Sequence, residues 1–426
     1  MSAEVPTAAD ASPAPPPPVA SATPQQRSSL GLLLVVVFIN IAGFSLVLPL
    51  LPFYGQAFGA TPLGVASLFA AYSLGNLIGE PYWGRLSDRI GRRPVLIAST
   101  ACAALGYGAF AFAPNLWSAC LLRVVGGFFG GTLSVVLGNI ADVTPPAGRA
   151  RSIGFFGAAF NLGFVAGPAL GGLLAAPELG AAGYRLPLFA ASGLAGAASL
   201  WALLFLREPI RAPRSGVAPP ASRRETLAFA YHHPLISRLL LVGFVAILTF
   251  ASMEAVFGLW TSLRYQWGPR EVGLAFIAIG LAGGITQALL IGPLARRFGE
   301  ARVLAAGVLV LLTSTLLMPW APNPAVSVAL MALLMTGHSL TFPNLGALVS
   351  RSTPPENQGA VMGLQGSVQA FARIVGPPIL GWTFGAFGPS MPFHVAAALV
   401  AIAALLALRI VRLSFPATPT TRGSTP

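Results

Sequence analysis

The chain has 426 residues, of which 55% are hydrophobic and only 9% charged, and its formal net charge is +13. Water-soluble domains carry about 25% charged residues, so this composition excludes an ordinary soluble protein. Apolar runs of about 20 residues also suit membrane-crossing helices better than barrel strands of about 10. All 25 basic residues are Arg, spread over short loops, a pattern of positive-inside bias rather than of nucleic-acid binding. Cys102 and Cys120 both lie inside apolar segments, so neither a disulfide framework nor a metal site is expected, and no cofactor.

Along the chain, residues 1–28 are Ala- and Pro-rich and nearly uncharged, with no secretory signal; they predict a disordered tail, as does 414–426. Between the tails, twelve apolar segments are predicted at about 30–54, 63–84, 93–113, 116–142, 151–175, 187–206, 236–263, 271–293, 302–320, 323–349, 358–385 and 390–412. Each is long enough, at about 1.5 Å per residue, to cross about 30 Å of hydrocarbon. The fold class expected is an all-α membrane protein of twelve helices in two six-helix bundles, 29–206 and 236–413. A cytoplasmic linker at 207–235, rich in Pro, Ser, Arg and Ala, divides them and lets one half move against the other. With an even number of spans both tails share a side. Twenty Arg fall on that side and three (Arg185, Arg264 and Arg270) on the other, with Arg123 and Arg373 inside spans. Both termini are therefore expected in the cytoplasm.

The halves repeat each other. The segment from Gly84 to Gly91 aligns with Gly292 to Gly299 at an offset of 208, and Thr144 with Thr353 at 209. Gly154, Gly167, Pro168 and Gly172 find Gly363, Gly376, Pro377 and Gly381 at that second offset. A duplicated six-span unit predicts a substrate site between the halves, near the bilayer midplane.

Three motifs carry a family resemblance. Gly84-Arg-Leu-Ser-Asp88-Arg89-Ile-Gly91-Arg92-Arg93, between spans two and three, resembles the loop motif of the major facilitator superfamily. The resemblance extends over about residues 29–413. It implies a cytoplasmic latch that helps hold the outward-open state; the alternative is plain positive-inside anchoring. Gly154-x8-Gly163-x3-Gly167-Pro168-x2-Gly171-Gly172 in span five is similar to the motif of proton-coupled exporters in that superfamily. Small residues at this spacing let helix backbones approach, and Pro168 kinks the helix. Arg123-Val-Val-Gly126-Gly127 in span four resembles the intramembrane Arg motif that the family links to proton coupling. A buried Arg needs a partner or a water-filled cavity.

Asn40 and the Leu48-Pro49 to Pro52 stretch in span one, with Ala141-Asp142-Val-Thr-Pro-Pro at the end of span four, look like the corresponding parts of tetracycline and multidrug antiporters. Many of those carry an acid at or near the Asn40 position, and Asn cannot titrate. A proton carrier must then sit elsewhere, and Glu254 within span seven is the first candidate. Asp142 is a candidate partner for the loop-motif Arg residues or a coupling group, and His338 in span ten a possible pH-sensitive group. Glu80 is expected to play a structural role beside the loop motif. Arg373 in span eleven is expected either to neutralise Glu254 or to attract an anionic group of the substrate. Asn161, Gln287, Gln365 and Gln369 are candidate cavity groups or helix bridges, and Phe160, Phe250, Phe257, Trp260 and Phe342 candidate pocket aromatics.

The expected function is proton-driven export of small amphipathic molecules, drug- or tetracycline-like, across the bacterial inner membrane. The partners expected are a small-molecule substrate, protons and the lipid bilayer, with the protein a monomer. A metabolite or sugar transporter of the same superfamily is the alternative. An enzyme is disfavoured because His232, His233, His338 and His394 form no constellation and no phosphate-cradling motif occurs; a receptor or scramblase sharing the fold is the remaining class.

Overall fold

The computed structural model describes residues 24–145, 148–208, 223–354 and 356–414. The expected tails therefore lie outside the described residues up to 23 and from 415, as do 209–222 of the linker and the second proline of each Thr-Pro-Pro turn, Pro146 and Pro355.

Helices account for nearly all of the described chain. In the first half these are α1 (Pro24–Val47), α2 (Leu51–Ala57), α3 (Pro62–Ile90), α4 (Arg92–Phe110), α5 (Leu116–Gly130), α6 (Leu133–Val143), α7 (Arg149–Leu174) and α8 (Arg185–Phe205). After the short α9 (Arg223–His232) the second half comprises α10 (Pro234–Tyr265), α11 (Pro269–Ile285), α12 (Ile291–Phe298), α13 (Glu300–Leu317), α14 (Pro324–Arg351), α15 (Gln358–Phe387) and α16 (Met391–Ser414). Two expectations are corrected here. The first helix begins at Pro24, inside the expected tail, and the linker contains a helix of its own, packed against α10 and α15.

Ten segments among the described residues are long and apolar enough to cross a membrane. The other two expected spans, α4 and α15, are helical but more polar. One opens on Arg92-Arg93, and the other carries Gln365, Gln369 and Arg373. At 19 residues α4 is still about 28 Å long.

The repeat is visible in the ends of the helices. Asn115 and Asn323, 208 residues apart, both cap a helix, accepting from Ser118 N at 2.9 Å and Val326 N at 3.0 Å. Gly91 and Gly299, at the same offset, both turn the chain at positive φ, +119° and +82°. Only glycine takes such backbone without strain.

Within each half, α1 packs on α7, α3 on α5, α4 on α8, α10 on α15 and α13 on α14. The halves meet along two seams, α3 against α15 and α7 against α11. Both seams close tightly at the end away from the Arg-rich loops. A Cβ on Gly381 would lie 2.6 Å from Ala66 Cβ, and one on Gly172 would lie 2.6 Å from Pro269 O. Gly258 on α10 meets Pro52 there as well. The largest core cluster includes this end, where Leu46, Leu50, Leu51, Phe257 and Phe393 are fully buried, and continues through the second half to Ile236, Val349 and Ile410.

Candidate functional site

Below that sealed end lies a cavity of about 330 Å³ between the halves. Its lining runs from Phe44, Tyr72, Phe164 and Glu254 down to Val36, Glu80, Leu133 and Val136, so it opens toward the Arg-rich loops. The first half contributes Asn40, Asn76, Glu80, Tyr107 and Thr132, and the second Phe250, Glu254, His338 and Arg373. Local chain breaks place some of these groups. Helices α5 and α6 are separated at Gly131-Thr132, which brings Thr132 and Leu133 to the wall. Tyr72, Ser73, Asn76 and Glu80 share one face of α3 at helical spacing.

The charged groups of the wall are not paired with one another. Glu254 is 9% exposed and belongs to α10, whose central turns are buried throughout. Arg373, half-buried, stands within electrostatic reach of both Glu254 and His338. Among the described residues neither Glu254 nor Arg373 forms an ion pair within 4.0 Å. Arg373 thus acts on Glu254 through space without a direct ion pair. The His338 ring stacks on Phe250 with centroids 4.2 Å apart, and lies 5.8 Å from the Phe342 ring at 27°. Its Nδ1 is buried without a hydrogen-bond partner. Phe160 and Phe164, stacked at 6.1 Å, line the facing wall.

Several sequence candidates lie elsewhere. Phe257 is fully buried, edge-on to Trp267 at 6.5 Å, and Trp260 packs edge-on against Phe393, so both belong to the sealing core. Gln365 is buried with Oε1 unpaired, outside the cavity lining. Asn161 and Gln287 also lie outside that lining and bond to each other across the α7–α11 seam at 2.9 Å. Arg123 lies behind the wall rather than on it. Its Nε donates to Leu68 O at 3.2 Å, and the guanidinium sits 4.5 Å from the centroid of the Tyr72 ring, the group that does line the cavity. Glu80, expected beside the loop motif, lines the cavity instead.

The loop motif is built around Arg92, which is nearly buried. It pairs with Asp88 at 2.7 Å and with Asp142 at 3.2 Å, and donates to Ser87 Oγ. Asp142 is therefore an ion-pair partner and does not line the cavity. Arg93 donates to Leu203 O at 2.6 Å, Arg89 is exposed, and Gly84 faces Ser134. Sequence reasoning missed Glu208. Its carboxylate accepts from the first amides of α4, Arg92 N at 2.7 Å and Arg93 N at 2.8 Å. An acid at a helix N-terminus is a favourable pairing, but nothing in the sequence brings a residue 116 positions away to that end.

The span-five motif divides by face. Gly163, Gly167 and Gly171 lie against the backbone of α1 at Phe38, Ala42 and Leu46, where any Cβ would collide, and Ser45 Oγ donates to Gly163 O at 3.0 Å. Gly172, by contrast, faces α11 across the halves. Gly154 meets nothing within 4 Å, so close approach does not explain it in this conformation.

A family model described as the Major Facilitator Superfamily matches residues 33–269 and 239–426. The chain belongs to this superfamily. It is 34% identical to the class G tetracycline resistance protein of Vibrio anguillarum, over 84% of this chain and 90% of that one. It is 26% identical to the quinolone resistance protein NorA of Staphylococcus aureus, over 82% and 88%. A solved bacterial homologue of the human lysosomal transporter Spinster, inward-facing and unoccupied, superposes with a TM-score of 0.76 at 14% identity, covering 92% of this chain and 98% of that one. The two-bundle arrangement around a central cavity is therefore the superfamily fold.

Proposed function

We propose that the protein exports small amphipathic molecules from the cytoplasm in exchange for protons, by alternating access, with Glu254 carrying the proton. The relatives named for tetracycline and quinolone resistance support the class of cargo. The observation that carries the mechanism is Glu254 itself, a buried carboxylate on the wall of the inter-half cavity with no ion-pair partner among the described residues. A group of this kind is rare within a membrane span and marks a substrate or ion pathway. Exchange follows if Glu254 cannot hold a proton and a cargo group together. The Arg-rich end is then cytoplasmic, both termini lie there, and the cavity opens inward. Exposed Leu105, Leu121 and Leu162 would face lipid, with Trp117 and Trp320 near its edges, in the bacterial inner membrane and as a monomer.

This reading makes the chain a transporter rather than an enzyme. The test is cargo-evoked proton movement in proteoliposomes, wild type against Glu254→Gln, with tetracycline and ethidium as probes. Proton movement in the wild type, lost in a variant that still binds cargo, is the expected result. Undiminished coupling in Glu254→Gln removes Glu254 from the mechanism, and no proton movement with either probe in the wild type removes the exchange.

A further inference from the structure

We propose that Glu80 and Arg373 form an ion pair across the α3–α15 seam when the Arg-rich end closes, and so hold the form whose cavity faces the other side. This rests on the alternating-access part of the reading above and names a contact that steadies one of its two states. Glu80 on α3 and Arg373 on α15 carry opposite charges, belong to opposite halves and line one cavity. Neither belongs to the loop motif. Both are half-buried, and neither side chain has an ion-pair or hydrogen-bond partner among the described residues. A charge in a protein interior is uncompensated until a counter-charge meets it.

The repeat puts the two groups at nearly one depth. On the other seam Asn161 and Gln287 bond at 2.9 Å, so those two positions lie level. The counterpart of Asn161 at the offset of 209 is Ala370, which lines the cavity. Gln287 lies in the π-helical turn Thr286–Leu290. The offset is 207 at Phe69 and Phe276 and 208 at Gly84 and Gly292, so the counterpart of Gln287 is Glu80 or its neighbour Gly79. Arg373 is three residues beyond Ala370, about 4.5 Å along the axis, which a long Arg side chain spans. One seam is thus bridged by a neutral pair, while the other carries a charged pair that is still apart.

Movement of one half against the other selects this pair. Glu254 and Arg373 both belong to the second half, so rocking the halves leaves their separation unchanged. Asp88 and Asp142 are already held by Arg92. Of these acids only Glu80 approaches Arg373 as α3 and α15 close. In the other direction, Arg373 is the one Arg among the residues that line the cavity, and His338, the second half's other base there, is stacked on Phe250. Closure also strips water from both side chains, which makes their attraction stronger than that of an exposed pair.

The experiment reads spin-label distances between the Arg-rich loops of the two halves, on the full-length protein in nanodiscs. Glu80→Gln and Arg373→Gln are each expected to lower the population closed at that end by about tenfold. The double variant should lower it no further. The charge swap, Glu80→Arg with Arg373→Glu, should bring it back to within about threefold of wild type. Single variants that stay within about threefold of wild type, or a swap that recovers nothing, overturn the proposal. Should the swap fail to fold, Glu80→Cys tests the same point after thiol labelling. A sulfonate-bearing tag should restore the closed form and an ammonium-bearing tag should not; equal effects of the two overturn the pair. The distances require neither cargo nor a proton gradient, so a failure of proton exchange leaves the pair standing. A wild type that never closes at this end overturns alternating access and the pair together.

Discussion

Asn161 donates its side-chain amide to Gln287 Oε1 at 2.9 Å and so joins α7 of one half to the second half. That contact lies on the α7–α11 seam, on the side of the cavity that opens, where the halves must shift for access to alternate. Its net worth is about 0.5–1.5 kcal/mol. Asn161→Ala and Gln287→Ala should each change the balance of inward- and outward-open forms by about threefold to tenfold, and the double variant by no more than either alone. Spin-label distances across the Arg-rich end measure this; additive effects would show that the pair is not a unit.

Glycine substitutions on α7 should sort by face. Gly167→Val and Gly171→Val drive side chains into α1 at Ala42 and Leu46. Overpacking of this kind costs about 1–3 kcal/mol or more, read as a lowered Tm in detergent. Gly154→Ala has open space around it and should leave the Tm unchanged. If it impairs transport nonetheless, its role belongs to another conformation.

The two halves hold their loops with ion pairs of opposite sense. Arg92 on α4 meets Asp142 on α6, while Glu300 on α13 meets Arg351 on α14 at 2.8 Å. These residues correspond in the repeat, at offsets of 208 and 209, with the charges exchanged. Burial differs too, the side chain of Arg92 being 5% exposed and that of Arg351 72%. Asp142→Asn should therefore cost about 1–3 kcal/mol, since Asp88 and Ser87 still engage Arg92, whereas Arg351→Gln should cost about 0–1 kcal/mol. Equal losses in chemical denaturation would contradict this ranking.

Glu208→Ala removes the acceptor of two α4 amides, and the loss expected is about 0.5–2 kcal/mol. Gly91→Ala should be worse. It forces a Cβ onto φ +119° and to within 2.9 Å of the Glu208 carboxylate. Hydrogen exchange at the first turn of α4 should rise in both variants, and a protected first turn in Glu208→Ala would mean that another group caps the helix.

Much of the fold was legible because lipid-scale helices and a duplicated glycine pattern leave periodic marks. Gly84 and Gly91 located the loop, Gly163, Gly167 and Gly171 the face of α7 packed on α1, and Arg placement divided the ends. The site was less legible because depth along a helix says nothing about rotation around it. Phe250 and Phe257, two turns apart, even share a face of α10, yet one is cavity wall and the other lies in the sealing core, because the cavity ends between them. Glu80 was readable in principle, since Tyr72, Asn76 and Glu80 fall at intervals of four and mark a polar stripe on an apolar helix. The separation of Glu254 from Arg373, and the reach of Glu208 to α4, depend on tertiary geometry that no local pattern encodes.

The π-helical turn Thr286–Leu290, which lies between α11 and α12 and carries Gln287, falls where the second half is one residue longer than the first. Pro62, Val65 and Phe69 correspond to Pro269, Val272 and Phe276 at a spacing of 207, yet Gly84 and Gly91 correspond to Gly292 and Gly299 at 208. An added residue in a continuous α-helix would rotate everything after it by about 100°. Confined to one wide turn, it leaves Gly273 facing α7 and Gly299 turning into α13, while the displaced segment presents Gln287 to Asn161. A bond between the halves thus sits where the spacing of the two repeats changes by one residue.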